Sequence, residues 1–254
     1  MPSQHHTVSI SALPAFPLVQ EGDDIGALIV ECIQRNDFDI AADTIIVVAQ
    51  KIVSKAEGRA IRLSDVTPGK DALSLAETTG KDPRLVELIL AESNEVIRQA
   101  GPLLITENKL GIIMANAGID QSNIDAGYAL LLPEDPDLSA RRIGADISTA
   151  FGANAGVVIA DSAGRPWRRG VVGIAIGVHG MPAVHDIRGE TDLNSRELVA
   201  TEVGAADAIA AAATLLMGQA DEGTPVALVS GFSFDSPSSA AVDILRDKDS
   251  DLFR

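Results

Sequence analysis

TIIVVAQKIVSKAEGR, residues Thr44–Arg59, is the stretch from which the rest of the chain is most easily read. Its first part, Thr44 to Ala49, is a short run dominated by β-branched apolar residues, the pattern of a strand buried in a sheet. Its second part, Gln50 to Arg59, follows without a turn signal and carries three cations in ten residues. A cationic segment leaving a buried strand is either a solvated helix start or a place to hold phosphate, with Lys55 as the point charge.

Working outward from this pair gives alternating short elements. Upstream, Thr7 to Leu13 alternates as a strand does, and Pro14 and Pro17 interrupt it. Asp23 and Asp24 can cap a helix through Asn36, with Ile25, Leu28, Ile29, Cys32 and Ile33 on one face. Downstream, Pro68 to Ala100 reads as two helices broken at Gly80-Lys81-Asp82. Strands are expected over Leu103–Thr106 and Gly111–Ala115, joined by a turn at Glu107-Asn108-Lys109. Leu138–Phe151 reads as an amphipathic helix. Val157–Ala160 reads as a strand that runs into a turn at Asp161-Ser162-Ala163-Gly164-Arg165, and Val171–Val178 as another strand. Glu197–Met217 reads as a long Ala-rich helix ending at Gly218, before a strand at Thr224–Val229. In that helix Val199, Val203, Ala206, Ala210, Ala213 and Met217 share one stripe, with Thr201, Ala205, Ala208 and Ala212 opposite. From Gly231 a polar tail is expected to be loosely held. There is no internal repeat and no long linker. Strands and helices mix without strict βαβ regularity, so the expected class is α+β rather than a doubly wound sheet.

Composition narrows the function. The chain has 254 residues, a net charge of −16 and 46% hydrophobic residues. Its pI is about 4.5 and its mean hydropathy +0.18. Disorder is excluded as the main state. A nucleic-acid partner or an anionic membrane would need the opposite charge. A small anionic ligand would need metal ions or local cations to offset the field. One cysteine, Cys32, allows no intrachain disulfide and no Cys-rich zinc site. Met1 to Ile10 has no signal-peptide pattern, and the longest mostly apolar run, Ala208–Met217, is too short for a bilayer. A cytoplasmic protein is expected. His5, His6, His179 and His185 have no standard zinc spacing.

Phosphate-loop, dinucleotide-fingerprint and nucleophile-elbow motifs are absent. What remains is acidic residues in short segments after apolar runs. Asp120 lies in NAGIDQSN, residues Asn116–Asn123, and Asp161 stands beside Ser162. A carboxylate with a neighbouring hydroxyl offers hard oxygen ligands for Mg²⁺ or Mn²⁺. The same pattern also makes an ordinary Asx-turn.

These segments, in this order, resemble the coenzyme F420-0:L-glutamate ligase (gamma-glutamyl ligase) family. The matching stretches are AQKIVSKAEGR (Ala49–Arg59), ITENKLGIIMANAGIDQSN (Ile105–Asn123), LLPEDPD (Leu131–Asp137), IADSAGRPWRRGVVGIAIGVHG (Ile159–Gly180), DLNSRELVATEV (Asp192–Val203) and LLMGQADEGTPVALVSG (Leu215–Gly231). The resemblance runs from about Leu13 to Gly231. It implies two interlocked α+β parts within residues 1–231, a polar tail over 232–254, and two chains entwined as a homodimer. It implies a GTP-dependent ligase that joins L-glutamate to the carboxylate of coenzyme F420-0, a deazaflavin with a lactyl arm, and can add further gamma-linked glutamates. As cofactors it implies two divalent ions, Mg²⁺ or Mn²⁺, and allows a monovalent cation such as K⁺.

Carried over residue by residue, Asp120 and Asp161 match the family's first metal site, and Ser162 and Gln219 the second. Gln50, Lys55 and Asn123 match positions that touch GTP. Phe16, Pro17, Leu18 and Val19 align with one nucleotide loop, and Met217, Gly218, Gln219, Ala220, Asp221, Glu222, Gly223 and Thr224 with another. Ser162 stands where Thr is frequent, and either gives a hydroxyl. Gln50 stands where some members have Ser. Arg165, Arg168 and Arg169 are candidates for the precursor's phosphodiester. Some members carry a C-terminal flavin-reductase-like domain, and that activity is not expected here. The competing expectations are a GTP-binding relative without catalysis and a ligase for another acid.

Overall fold

The computed structural model describes residues 7–234 and 236–252. His5, His6 and the start of the Met1–Ile10 stretch lie outside them. Along the chain, strand β1 (Ser9–Ala12) leads to helix α1 (Ile25–Arg35). Strand β2 (Ile45–Ala49) runs directly into helix α2 (Gln50–Ala56), and β3 (Ala60–Arg62) follows. Helices α3 (Lys70–Thr79) and α4 (Pro83–Ala91) precede strands β4 (Ser93–Ala100), β5 (Leu103–Asn108) and β6 (Ile113–Ala115). Strand β7 (Tyr128–Leu130) and helix α5 (Pro136–Phe151) lead to the long strands β8 (Gly156–Arg165) and β9 (Arg168–His179). The short β10 (His185–Asp186) and β11 (Glu202–Val203), helix α6 (Ala205–Met217) and strand β12 (Val226–Ser230) complete the chain's regular elements.

The main sheet has the order β1-β12-β2-β8-β9. β2 sits at its centre, parallel to β8 and antiparallel to β12. Alternate residues of β2 enter different cores: Ile46 and Val48 join Ile25, Ile29, Ile143 and Ile147 of α1 and α5. Ile45 and Val47 join Ala206, Ile209, Ala210 and Ala213 of α6. This is why Thr44–Ala49 has no polar face. A third core, around Leu63, Ala76, Val86, Ile89, Leu104 and Leu131, belongs to the smaller layer of α3, α4 and the β4-β5-β6 sheet. The architecture is mixed α+β, in agreement with the sequence reading.

Local chemistry sets the element ends. Asp24 caps α1 by accepting the Ala27 N–H at 3.0 Å. Asp135 caps α5, with Pro136 in the first turn. β9 is an edge strand, and carboxylates occupy part of its edge: Asp207 accepts the Ala175 N–H at 2.8 Å and Asp137 the Val178 N–H at 2.7 Å. Among the described residues, no helix is long and apolar enough to cross a membrane.

Four local expectations are corrected. The second helix of Pro68–Ala100 ends at Ala91, and Ser93–Ala100 is β4. No Gly or Pro marks that boundary, and antiparallel pairing with β5 overrides the helical propensity. Glu107 and Asn108 remain inside β5; the turn is one step later and is held by the Asn108 Oδ1 accepting from Leu110 and Ile112. The expected helix Glu197–Met217 begins only at Ala205, after Gly204. Val199 is exposed, and Val203 pairs with His185 in β11. The stripe therefore reduces to Ala206, Ala210, Ala213 and Met217. Ala205 is buried, not opposite to it. Finally, Asp161 to Arg165 is not a turn. It continues β8, and the chain reverses at Pro166-Trp167. The tail after Gly231 also makes contacts: Phe234 and Ala241 pack on the α6 core, and the Ala241 N–H donates to Asp137.

Candidate functional site

β2 ends where β8 and the loop after α6 converge, and α2 begins there. A cleft of about 530 Å³ opens at this junction, within the usual range for small-molecule sites. Phe16, Pro17, Leu18, Val19, Gln50, Lys55, Asp120, Asn123, Asp161, Ser162 and the whole loop Met217–Thr224 line it. Residues more than two hundred positions apart, such as Phe16 and Thr224, thus meet in one place. Arg165, Arg168 and Arg169 do not; they lie around the β8–β9 hairpin tip. His179 and His185 are also elsewhere, His179 against Gly144 and His185 bonded to Ser236.

Asp120 is tied into the cleft by its backbone. Its N–H and carbonyl exchange hydrogen bonds with Leu130 at 3.1 and 2.8 Å. Its Oδ1 accepts the N–H groups of Gln121 and Ser122, and its Oδ2 the Ser122 hydroxyl at 2.8 Å. The Asx-turn is therefore present, and it aims the carboxylate. Lys51 Nζ stands 2.6 Å from Asp120 Oδ2 and 2.6 Å from Ser122 Oγ. Burial raises the Asp120 pKa, but Lys51 and the two Ser122 donors together hold it below the usual carboxylate range.

Asp161 is in the opposite situation. Burial inside β8 pushes its carboxyl up to about 6, and the nearby Asp120 carboxylate adds to this. The Ser162 N–H, Lys51 and the Gln50 amide oppose the shift. Gln50 is itself buried, and its Oε1 accepts from Ser54 Oγ at 2.8 Å. That bond orients the amide toward Asp161. Two carboxylates thus share a cleft in which one has a close ammonium partner and the other is short of positive charge.

This donor set fits a hard divalent cation. The oxygens come from two carboxylates, the Ser162 hydroxyl and the Gln219 amide, and neither of the last two side chains has a hydrogen-bond partner among the described residues. No cluster of three His, Cys, Asp or Glu exists among the described residues. A site with only two carboxylates is the kind that Mg²⁺ completes with substrate phosphates rather than with a full protein cage.

The loop Met217–Thr224 closes the other side. Gly218 ends α6 at φ 76, and Glu222 folds back so that its Oε2 accepts the Ala220 N–H at 2.8 Å. Backbone donors hold the Glu222 carboxylate below its usual range. The Asn123 amide donates to the Ala220 carbonyl at 3.3 Å and links the Asp120 turn to this loop. Lys55 lines the cleft without an ion-pair partner among the described residues.

Sequence reasoning missed Lys51, Ser122 and Thr214 as cleft residues. Lys51 and Ser122 had a signal, since each adjoins a residue that was named. Thr214 had only its position one turn before Met217.

The family described as F420-0:gamma-glutamyl ligase matches residues 15–231. The coenzyme F420:L-glutamate ligase of Methanothermobacter thermautotrophicus is 45% identical over 249 residues, 97% of this chain and 99% of that protein. The protein of the same name from Methanopyrus kandleri is 44% identical over 253 residues, 98% of each chain. That of Methanocaldococcus jannaschii is 44% identical over 217 residues, 85% of this chain and 87% of that protein. Match and coverage agree along nearly the whole length, and the chain belongs to the F420-0:gamma-glutamyl ligase family.

Proposed function

We propose that this chain is a GTP-dependent ligase that joins L-glutamate to the carboxylate of coenzyme F420-0, releasing GDP and phosphate. The observation that carries the reading is the single cleft, which holds both carboxylates, a Lys55 without an ion pair among the described residues, and two loops, Phe16–Val19 and Met217–Thr224. A carboxylate is a poor acyl donor, because its leaving group would be oxide. Transfer of the γ-phosphoryl group from GTP gives an acyl phosphate, and the glutamate amine then displaces phosphate from the carbonyl carbon. The first step brings together groups of like charge. Asp120, Asp161, Ser162 and Gln219 would hold two divalent ions, Mg²⁺ or Mn²⁺, which supply charge neutralisation at the phosphate oxygens. Lys55 adds a fixed cation. Gln50 and Ser54 keep Asp161 in position, and Lys51 does the same for Asp120. A product ending in glutamate offers a new carboxylate, so further gamma-linked additions use the same chemistry.

Mass spectrometry of F420-0 after incubation with GTP, L-glutamate and Mn²⁺ tests the reaction. A mass gain of one glutamyl unit, dependent on all three, is the expected result. GTP affinity with no glutamyl product would indicate a binding protein instead.

Lys55→Ala is expected to weaken GTP by about 1.5–3 kcal/mol, the worth of a charged hydrogen bond, and to leave L-glutamate affinity unchanged. Calorimetric titration of both ligands checks this; equal GTP affinity removes Lys55 from the site.

The chain is also proposed to be a homodimer. The reading rests on the family resemblance, which implies two entwined chains; Leu193, Val199 and Leu215, each more than 80% exposed, are available to such a contact. Sedimentation equilibrium from nanomolar to micromolar concentration is expected to give twice 26.4 kDa. A folded, active monomer throughout that range would exclude it.

A further inference from the structure

The chain after residue 231, where the family match ends, is anchored on the main sheet before it leaves it. Phe234, Ala241 and Ile244 pack on the α6 core. Ser236 and His185 are hydrogen-bonded, the Ser239 N–H donates to the Met181 carbonyl at 3.2 Å, and the Ala241 N–H donates to Asp137. From there the segment crosses to the smaller layer. A second cavity, of about 700 Å³, lies beneath the crossing, walled by Ile113, Ile174, Ile176 and Val242. Beyond it the segment meets the β5–β6 hairpin at two points. A Cβ at Gly111 would lie 3.0 Å from Leu245 Cδ1, so this methyl rests on the glycine of the turn. Lys248 Nζ stands 2.8 Å from Glu107 Oε2, and the Glu107 side chain is only 4% exposed.

That hairpin is a joint between layers. Met114 of β6 packs in the core of α1 and α5, whereas Leu104 of β5, Ala117 and Ile119 belong to the core of the smaller layer. Among the described residues, the two buried side-chain polar atoms without a hydrogen-bond partner are both here: Thr106 Oγ1 in β5 and Asn116 Oδ1 just after β6. A buried polar atom left unpaired costs free energy. Asn116, Ala117 and Gly118 follow one another in the left-handed region, at φ 52, 56 and 78. For alanine this conformation is strained, and it persists only where the surroundings over-determine it. Two residues after Gly118 comes Asp120, a carboxylate of the cleft. The link that aims this carboxylate therefore needs support from outside itself.

We propose that the C-terminal segment is a strap that holds the β5–β6 hairpin and, through it, the position of Asp120, with Leu245 and Lys248 as positioning residues. Leu245 fixes the turn and Lys248 fixes the end of β5, so β6 and the strained link after it have one arrangement. The proposal rests on the reading of Asp120 as a metal ligand of the ligase and adds to it a support that lies outside the cleft and outside the family match.

Full-length Leu245→Ala and Lys248→Ala test this separately, the first without touching a charge. In protein free of nucleotide and metal, the backbone amides of residues 105–120 are expected to lose hydrogen-exchange protection, while those of β2 and α6 keep theirs. In the ligase assay the Mn²⁺ concentration for half-maximal rate is expected to rise about tenfold or more, the scale on which residues behind a metal ligand act, with kcat at saturating Mn²⁺ unchanged. Lys248→Arg keeps the cation and should match the wild type in both measurements. Unchanged protection over 105–120 overturns the strap. Protection lost throughout the chain overturns it too, because the segment then adds only to global stability. Local loss in an active ligase whose Mn²⁺ requirement stays at the wild-type value overturns the link to Asp120. A wild-type protein that forms no glutamyl product defeats the ligase reading, and exchange alone then decides the strap: local loss keeps it and unchanged protection removes it.

Discussion

Asp120→Asn and Asp161→Asn are each expected to abolish turnover while the chain stays folded. Both changes keep the side-chain volume and remove a negative charge from the cleft. If the two carboxylates hold divalent ions against the GTP phosphates, each loss removes several kcal/mol of charge stabilisation, or at least about a thousandfold in rate. The two variants should differ in stability. Asp120 loses its 2.6 Å ion pair with Lys51; both partners are partly exposed, so the cost is modest, about 1 kcal/mol or less. Asp161 is a half-buried carboxylate whose charge is disfavoured by desolvation, so its neutral replacement is not expected to lower the melting temperature. Steady-state kinetics at low Mn²⁺, with thermal melts of the same samples, checks both halves. Near-normal rates in the two variants would remove the metal assignment. Lost rates with a collapsed melt in Asp161→Asn would show a structural role instead.

The sequence made the centre of this molecule legible and its periphery less so. Thr44–Ala49 could be read as a buried strand because both sides of β2 face cores, and Asp24 could be read as a cap because its carboxylate bonds within three residues. Such signals are local. The overruns at Ser93–Ala100 and at 197–204 occur where partner strands, not composition, decide the conformation. The cleft shows the same division. The six family-like stretches named its lining, but Lys51 reaches Ser122 across 71 positions, a contact that no spacing rule within one segment reveals. The Asp161 segment was read as a turn because Gly164 follows it. In the structure the β8–β9 ladder continues through that glycine to the hairpin tip. Partial burial of Asp161 inside β8, rather than full exposure in a turn, is what leaves its charge in need of a counterion.

The fit of β9 between two helices gives the largest expected effect on stability. Gly173 and Gly177 occur in this strand with ordinary backbone angles, so alanine there meets no conformational penalty from φ. The obstruction is packing. A Cβ at Gly177 would lie 2.5 Å from the carbonyl carbon and oxygen of Pro136, at the start of α5. One at Gly173 would lie 2.5 Å from the Ala210 carbonyl oxygen in α6. Both obstacles are backbone atoms that cannot rotate away, so a helix must move off the sheet. Gly173→Ala and Gly177→Ala are each expected to cost about 3 kcal/mol, the upper end for overpacking. Gly164→Ala is the control: nothing lies within 4 Å of its Cβ position and its φ is ordinary, so it should be neutral or stabilising by about 0.4–1 kcal/mol through the unfolded state. Urea denaturation of the three variants measures this, and three equal midpoints would refute the packing argument. The functional consequence separates the two costly variants. Displacing α6 moves Met217 and Gly218, which begin the loop on the cleft, whereas displacing the start of α5 disturbs Asp135 to Asp137 at the second cavity. Gly173→Ala should therefore raise KM for GTP, and Gly177→Ala should leave it unchanged, in enzyme held below the unfolding midpoint. The reverse pattern would show that strand β9, and not the helix it supports, carries the displacement.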